Sequence, residues 1–396
     1  MTANNARDLA PPARKLSLND PIVRSLVYQV LVMGGVVALG WYLLHNTLEN
    51  LSRLKIASGF GFMGRESGFE IGETLIEYSP ASSYGRAILV GLLNTIRIAV
   101  IGIVLSTVLG TLVGIARLST NWLIAKLAST YVEIIRNVPI LLQLVFWYSL
   151  ITETMPGPRQ AYQPLPDVFI SNRGILFPLP VDSPVFDVMG IALLVGIFAT
   201  LFLWTWAKKR QAATGQPFPT GMVGLGLIFG LPLLAYVLGG APTELDRPVM
   251  RGFNFVGGGS ITPEYAALMI GLVTYTAGFV AETVRAGILA VPKGQWEAAG
   301  ALGLSRTQAL RLVILPQALR VIVPPMTSQF LNLTKNSSLA VAIGYPDVVS
   351  ILNTTMNQTG QAIEGVALIM AVYLTCSLSI SAFMNWYNKR VALVER

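Results

Sequence analysis

The sequence predicts an all-α integral membrane protein with about eight transmembrane helices, and three observations predict it. First, of its 396 residues 53% are hydrophobic and only 12% are charged, with a mean hydropathy of +0.60. A soluble domain carries about 25% charged residues, so a water-solvated globule of this size is excluded. Second, eight stretches each offer the ~20 mostly apolar residues that a spanning helix needs. They are 25–45, 94–116, 131–151, 186–206, 221–241, 264–288, 320–344 and 365–387. Third, Lys and Arg are unevenly shared among the intervening segments. Segments 1–24, 117–130, 207–220, 293–320 and 388–396 hold 16 of them, whereas 46–85, 152–185, 242–263 and 345–362 hold 7. Cytoplasmic loops carry the excess of basic residues, so both termini are expected in the cytoplasm. The net charge of +8 then belongs to loops, and no nucleic-acid partner is expected. With one His (His45) and one Cys (Cys376), the chain has no internal disulfide, Cys/His zinc site or Cys–His nucleophile pair.

Each element follows from its residues. Residues 1–24 are polar, contain Pro11-Pro12 and four basic residues, and read as a cytoplasmic tail. The first helix, 25–45, follows that polar lead and ends at Trp41-Tyr42 without a small-residue cleavage site, so it reads as a retained span. Segment 46–85 is an outside loop. It contains a formal G-x-G-x-x-G at 59–64, which lacks the strand–helix context of a dinucleotide site. No G-x-x-x-x-G-K-[ST] occurs, so no P-loop is present. The second helix carries Asn94, Thr95 and Arg97 near its outer half, and a Gly110-x-x-x-Gly114 pattern that suits close helix contact. The third carries Glu133 and Arg136, three residues apart on one face and able to pair. Segment 152–185 is Pro-rich and reads as irregular.

The fourth helix ends at Trp204 and Trp206, followed by Lys208-Lys209-Arg210, an interfacial aromatic belt with a basic cytoplasmic end. The fifth contains Gly226-x-x-x-Gly230. The sixth repeats the i, i+3 spacing at Glu282 and Arg285, which reads as a structural ion pair. The seventh has six polar residues in seven positions: Asn332, Thr334, Lys335, Asn336, Ser337 and Ser338. Such a mid-span cluster is costly in lipid and faces a cavity or another helix. It reads either as a solute pathway or as a polar interface with a second subunit. Cys376, in the eighth helix, reads as a small apolar residue.

Segment 291–320 differs from the other loops. Lys293 to Ala299 start a short helix, Gly300 and Gly303 suit a turn, and Ser305 caps a second helix over Thr307–Leu315. Composition alone allows two readings: a surface-lying amphipathic connector, or a compact cytoplasmic knob. The residues Glu297-Ala298-Ala299-Gly300-Ala301-Leu302-Gly303, followed by Ile314-Leu315-Pro316-Gln317-Ala318, resemble the EAA loop of ABC importer permeases. Three further stretches resemble the polar amino-acid permeases of the histidine/glutamine type. They are Gly91-Leu92-Leu93-Asn94-Thr95-Ile96-Arg97, the run Tyr131 to Pro139, and Leu333-Thr334-Lys335-Asn336-Ser337-Ser338-Leu339. The eight-helix layout is similar to the broad-specificity general L-amino-acid permeases.

The resemblance implies a type I, MetI-like permease domain over 86–390. To it are added an N-terminal helix at 25–45, a periplasmic loop at 46–85, an inserted helix pair at 186–241 and a coupling loop at 291–320. It implies a subunit of an importer of broad-specificity L-amino acids in the bacterial inner membrane, without catalytic or metal-binding residues of its own. Its implied partners are a second, non-identical permease subunit, two ATP-binding cassette subunits that hold the ATP and Mg, a periplasmic amino-acid-binding protein and the bilayer. Glu297, Ala298, Ala299, Gly303, Leu304 and Pro316 are expected to couple to the ATPase, with Pro316 ending the second knob helix. Asn94, Arg97, Lys335, Asn336, Ser337 and Ser338 are expected along the substrate pathway. In relatives that import basic amino acids an Asp is expected where Asn336 stands. The rival reading, an ion-coupled secondary transporter, calls for internal repeats and midplane carboxylates; neither is visible.

Overall fold

The computed structural model describes residues 21–53 and 59–391. Twelve α-helices and eight short strands are present among them. The helices are α1 (Pro21–Arg53), α2 (Tyr84–Ala116), α3 (Trp122–Asn137), α4 (Ile140–Thr154), α5 (Pro184–Thr214), α6 (Thr220–Leu238), α7 (Pro263–Leu289), α8 (Lys293–Ala301), α9 (Arg306–Ala309), α10 (Leu315–Asn336), α11 (Val348–Thr359) and α12 (Ala362–Val391). Seven helices are long and apolar enough to cross a membrane, or eight when the bent pair α3 and α4 is taken as one span. The predicted tail 1–24 falls mostly outside the described residues. Its last four residues already belong to α1, and the described ends of the other spans lie within about ten residues of those expected.

The third span departs from expectation. A single helix over 131–151 is replaced by α3 and α4, which meet at an angle of 104°. Pro139 causes the break, because it lacks an N–H and pushes Val138 into extended backbone (φ −95°, ψ 127°). Gln143 makes the break tolerable. Its buried amide donates to the carbonyls of Ile135 and Val138, both at 3.0 Å, two acceptors left over at the end of α3.

The core lies along α7. Gly110 and Gly114 of α2 leave no room for a side chain: a Cβ on Gly110 would sit 2.5 Å from the Val280 Cβ, and one on Gly114 would sit 2.7 Å from the Ala281 carbonyl oxygen. Leu144, Leu268, Leu272 and Tyr345 fill one half of the bundle, and Val280, Ile314, Ile322 and Met384 fill the half that carries the 291–320 loop. A third cluster, with Phe62, Tyr84, Val348 and Leu352, ties the outside loop to the N-terminus of α2 and to α11. The small-residue contact between α5 and α6 is real but displaced from the expected one. Gly226 and Gly230 face open space, while Gly196 packs on the Leu227 carbonyl and Gly224 on Thr200.

The segments expected outside are more ordered than their composition suggested. Strands β1 (Tyr162–Leu165), β2 (Val168–Ser171) and β3 (Gly174–Phe177) form an antiparallel meander, and β8 (Gly259–Ile261) adds to β3 with Phe177 opposite Gly259. Strand β4 (Leu179–Pro180) pairs with β5 (Leu245–Asp246), and β6 (Val249–Arg251) forms a hairpin with β7 (Asn254–Val256). The strands are only two to four residues long. At that length period-2 alternation cannot be read, which is why the Pro-rich segment 152–185 looked irregular. Strands precede α5 and follow α6 in the chain, and α5 packs chiefly on α6.

Candidate functional site: coupling loop and polar helix ends

The loop 291–320 folds as a knob. Helix α8 follows Pro292 and ends at Leu302, and Gly303 takes a left-handed conformation (φ +75°). The Leu304 N–H then reaches the Ala299 carbonyl at 3.1 Å, and the Gly303 N–H reaches the Gly300 carbonyl at 2.9 Å. This pair of bonds is the Schellman arrangement, which requires a residue free of Cβ strain where Gly303 stands. Ser305 caps α9 in a reciprocal box with Gln308. Ala299 is buried at 2% exposure and anchors α8, Trp296 packs against the inner core cluster, and Gln317 donates to Gln295 across the fold at 3.0 Å. Glu297 and Ala298 are left exposed on the outer surface of the knob, with Leu304 half-buried.

Pro316 does not end the second knob helix. Residues Leu310–Ile314 form a π-helical turn that runs directly into α10, so that Arg306 to Ile343 make one continuous 38-residue element. The Leu315 N–H bonds to the Leu310 carbonyl in the π register. The wider register shifts the ladder one residue before a position that has no N–H to offer, and Pro316 is absorbed near the start of α10. The knob is thus rigidly joined to a spanning helix.

The expected ion pairs are rewired. Glu282 pairs with Arg117, the residue that caps the end of α2, and lies 3.8 Å from Arg136 of α3, and among the described residues neither Glu282–Arg285 nor Glu133–Arg136 forms. Arg117 is nearly buried, at 10% side-chain exposure, and needs the carboxylate more than the half-buried Arg285 does. Glu133 is exposed and, among the described residues, has no ion-pair partner. Spacing along one helix places two side chains on a face, but it does not tell which neighbouring helix that face meets.

At the outer end, Asn94 and Arg97 converge on one residue that sequence reasoning missed. Glu73, in the outside loop, meets the Arg97 Nη1 at 3.1 Å through Oε2 and accepts the Thr262 hydroxyl through Oε1. Arg97 also lies 4.1 Å over the Tyr265 ring. Asn94 is fully buried and donates to the carbonyls of Glu73 (3.0 Å) and Pro346 (2.9 Å). Thr95 accepts the Val348 N–H at 3.1 Å, and a Cβ on Gly91 would meet Val348 at 3.0 Å. The stretch Gly91–Arg97 therefore clasps both the outside loop and the turn before α11. That turn holds Asp347, buried at 0% exposure, which accepts the Ser350 N–H at 2.8 Å and faces the Tyr373 hydroxyl at 3.4 Å. Burial pushes its carboxyl up to about 7. An Asp directly ahead of an apolar run was a readable cap signal at 347; Glu73 carried no comparable signal.

The polar stretch of α10 divides. Ser337 is buried and Ser338 half-buried, and their hydroxyls donate back to the carbonyls of Thr334 (2.7 Å) and Lys335 (2.8 Å), where the α-helix tightens into a 3₁₀ segment over Ser337–Ile343. Lys335 is exposed and, among the described residues, has no carboxylate partner; Asn336 is half-buried. Thr95 of α2 and Thr334 of α10 line one mainly apolar groove of about 510 Å³ that Cys376 of α12 also borders. The two predicted groups therefore lie on neighbouring helices, with their charges engaged differently: Arg97 is paired, Lys335 is open.

The chain matches the family model described as "Binding-protein-dependent transport system inner membrane component" over residues 214–393. It is 51% identical over 380 residues to the General L-amino acid transport system permease protein AapQ of Rhizobium johnstonii, covering 96% of this chain and 95% of that protein. It is 50% identical over 382 residues to the Putative amino-acid ABC transporter permease protein YhdX of Escherichia coli, covering 96% and 97%. It is 40% identical over 410 residues to the Glutamate/glutamine/aspartate/asparagine transport system permease protein BztB of Rhodobacter capsulatus, covering 95% and 96%. With a capped, rigidly mounted EAA-type knob and half-identity sustained over nearly the whole length, the chain belongs to the permease family of the binding-protein-dependent amino-acid ABC transporters.

Proposed function

We propose that this chain is one half of the membrane passage of an ATP-driven importer that carries L-amino acids of broad side-chain type from periplasm to cytoplasm, both its ends lying in the cytoplasm. The second half is a non-identical permease subunit. Two cassette ATPases bind ATP and Mg and do the hydrolysis, and a periplasmic binding protein delivers the solute. The knob carries the reading. Its first helix, α8, has Glu297 and Ala298 on its open surface and is capped at Gly303; its second, α9, begins at Arg306 and is continuous with a spanning helix through the π turn. A push on such a lever reaches α10 without being absorbed by a flexible loop, and α10 bears Lys335 and Asn336 toward its outer end. Lys335 offers an ammonium to the solute carboxylate, and Asn336, Ser337 and Ser338 add neutral polar groups. Nothing among the relatives favours the ion-coupled alternative.

The test is reconstitution with the ATPase, the second permease and the binding protein, scored by uptake of several L-amino acids. Uptake should require ATP, and Gly303→Asp should abolish it while the chain still inserts. Uptake without ATP, or normal substrate-stimulated hydrolysis in Gly303→Asp with the ATPase bound, would overturn the assignment.

A further inference from the structure

The inserted pair α5 and α6 has no part in the passage or the knob, yet its cytoplasmic end is built like a receptor. Between Asp187 and Glu244 the chain contains no carboxylate, and its only charged residues there are Lys208, Lys209 and Arg210. Among the described residues none of the three has an ion-pair partner. Two of them are instead held by aromatic faces: the Lys208 Nζ lies 3.7 Å over the Trp204 ring, and the Arg210 guanidinium lies 5.5 Å from the Trp206 ring and 5.7 Å from Phe218. Such stacking orders a cation without neutralising it.

Trp204 also forms a wall of a groove of about 420 Å³ between the two helices, together with Leu201, Thr220, Gly221, Leu225 and Ile228. The groove is open at Gly221 of α6, whose missing Cβ would meet nothing within 4 Å. It begins at the first turn of α6, a 19-residue helix whose N-cap, Pro219, supplies no side-chain acceptor. Unneutralised positive charge thus stands directly beside an apolar channel at the edge of the membrane.

We propose that the α5–α6 hairpin binds an anionic phospholipid, its phosphate held by Lys208, Lys209 and Arg210 and an acyl chain laid along the groove beside Trp204. The charge complementarity selects the headgroup, since three cations without a carboxylate favour an anion over a zwitterion. The groove selects a lipid over a free phosphate. This inference is independent of which solute the chain carries.

The purified full-length permease assembly is titrated with phosphatidylglycerol or phosphatidylethanolamine and read by native mass spectrometry. The wild type should retain phosphatidylglycerol and release phosphatidylethanolamine. Lys208→Gln/Lys209→Gln/Arg210→Gln should bind phosphatidylglycerol on the order of a hundredfold more weakly, as three interfacial charges are removed. Gly221→Leu adds a side chain where a Cβ meets nothing within 4 Å and should displace the lipid while all three cations remain. Lys389→Gln/Arg390→Gln, at the end of α12, should bind as the wild type does. Full retention by either the triple variant or Gly221→Leu overturns the proposal. So does equal binding of the two lipids, an equal loss in the α12 variant, or complete displacement by inorganic phosphate. If the triple variant fails to assemble, Gly221→Leu alone decides.

Discussion

Glu282 stands where α2, α3 and α7 converge, and it answers two guanidiniums from helices other than its own. Removing its charge strands Arg117, whose side chain is only 10% exposed. Glu282→Gln should therefore lower stability by about 2 kcal/mol, less than a fully buried pair because Glu282 itself is 34% exposed. Glu133→Gln should change little, and thermal unfolding in detergent compares the two. Asp347 gives the outer end a pH dependence. Its carboxyl, at about 7, holds a proton more tightly in the folded chain than in the unfolded one, where it titrates near 3.8. Its contribution to stability is complete below about pH 4, shrinks as pH rises toward 7 and is flat above that. Asp347→Asn, which keeps the cap on α11, should flatten the stability profile across that window. The knob residues were readable because a capped turn is local: Gly303, Ser305 and Gln308 lie within six positions. Glu73 and Arg117 were not, because their partners are 24 and 165 residues away.

Helices α3 and α4 are two elements by virtue of one proline and one glutamine. Gln143 is the price of the bend: without its amide, the carbonyls of Ile135 and Val138 are left without that donor at a buried corner. Gln143→Leu should cost about 2 kcal/mol, whereas a Leu at an ordinary lipid-facing site costs little. The same substitution should loosen α3 against α4, seen as faster amide exchange around Val138. A Gln four residues after a Pro inside an apolar span was available as a signal. Hydropathy sums over the window and conceals it. The π turn before Pro316 was less accessible still, because the sequence of a proline that ends a helix and of one absorbed into a register shift is the same.

At the scale of the whole chain, hydropathy was enough for the membrane class and, with the bent pair α3 and α4 taken as one span, for eight spans among the described residues. The permease core was legible in the Gly91–Arg97, Glu297–Gly303 and Leu333–Leu339 stretches. What composition could not supply is which surfaces meet. Leu31 of α1 is 64% exposed, Phe198 of α5 69% and Met370 of α12 67%. The bundle is closed around α7 and open toward these three helices, as a subunit that works in lipid and against other chains must be.

The pairing of Phe177 with Gly259 predicts that the α5–α6 hairpin can be detached as a module. Facing residues on antiparallel strands lie only about 5 Å apart, so the chain leaves and re-enters the core at nearly one point. Splicing Phe177 to Gly259 through a two-residue Asn-Gly turn should excise everything between them and leave a chain that still inserts and supports ATP-dependent uptake. Failure of that shortened chain to assemble with its ATPase would show that the appendage is part of the machine. Success would make it an accessory that can be transplanted.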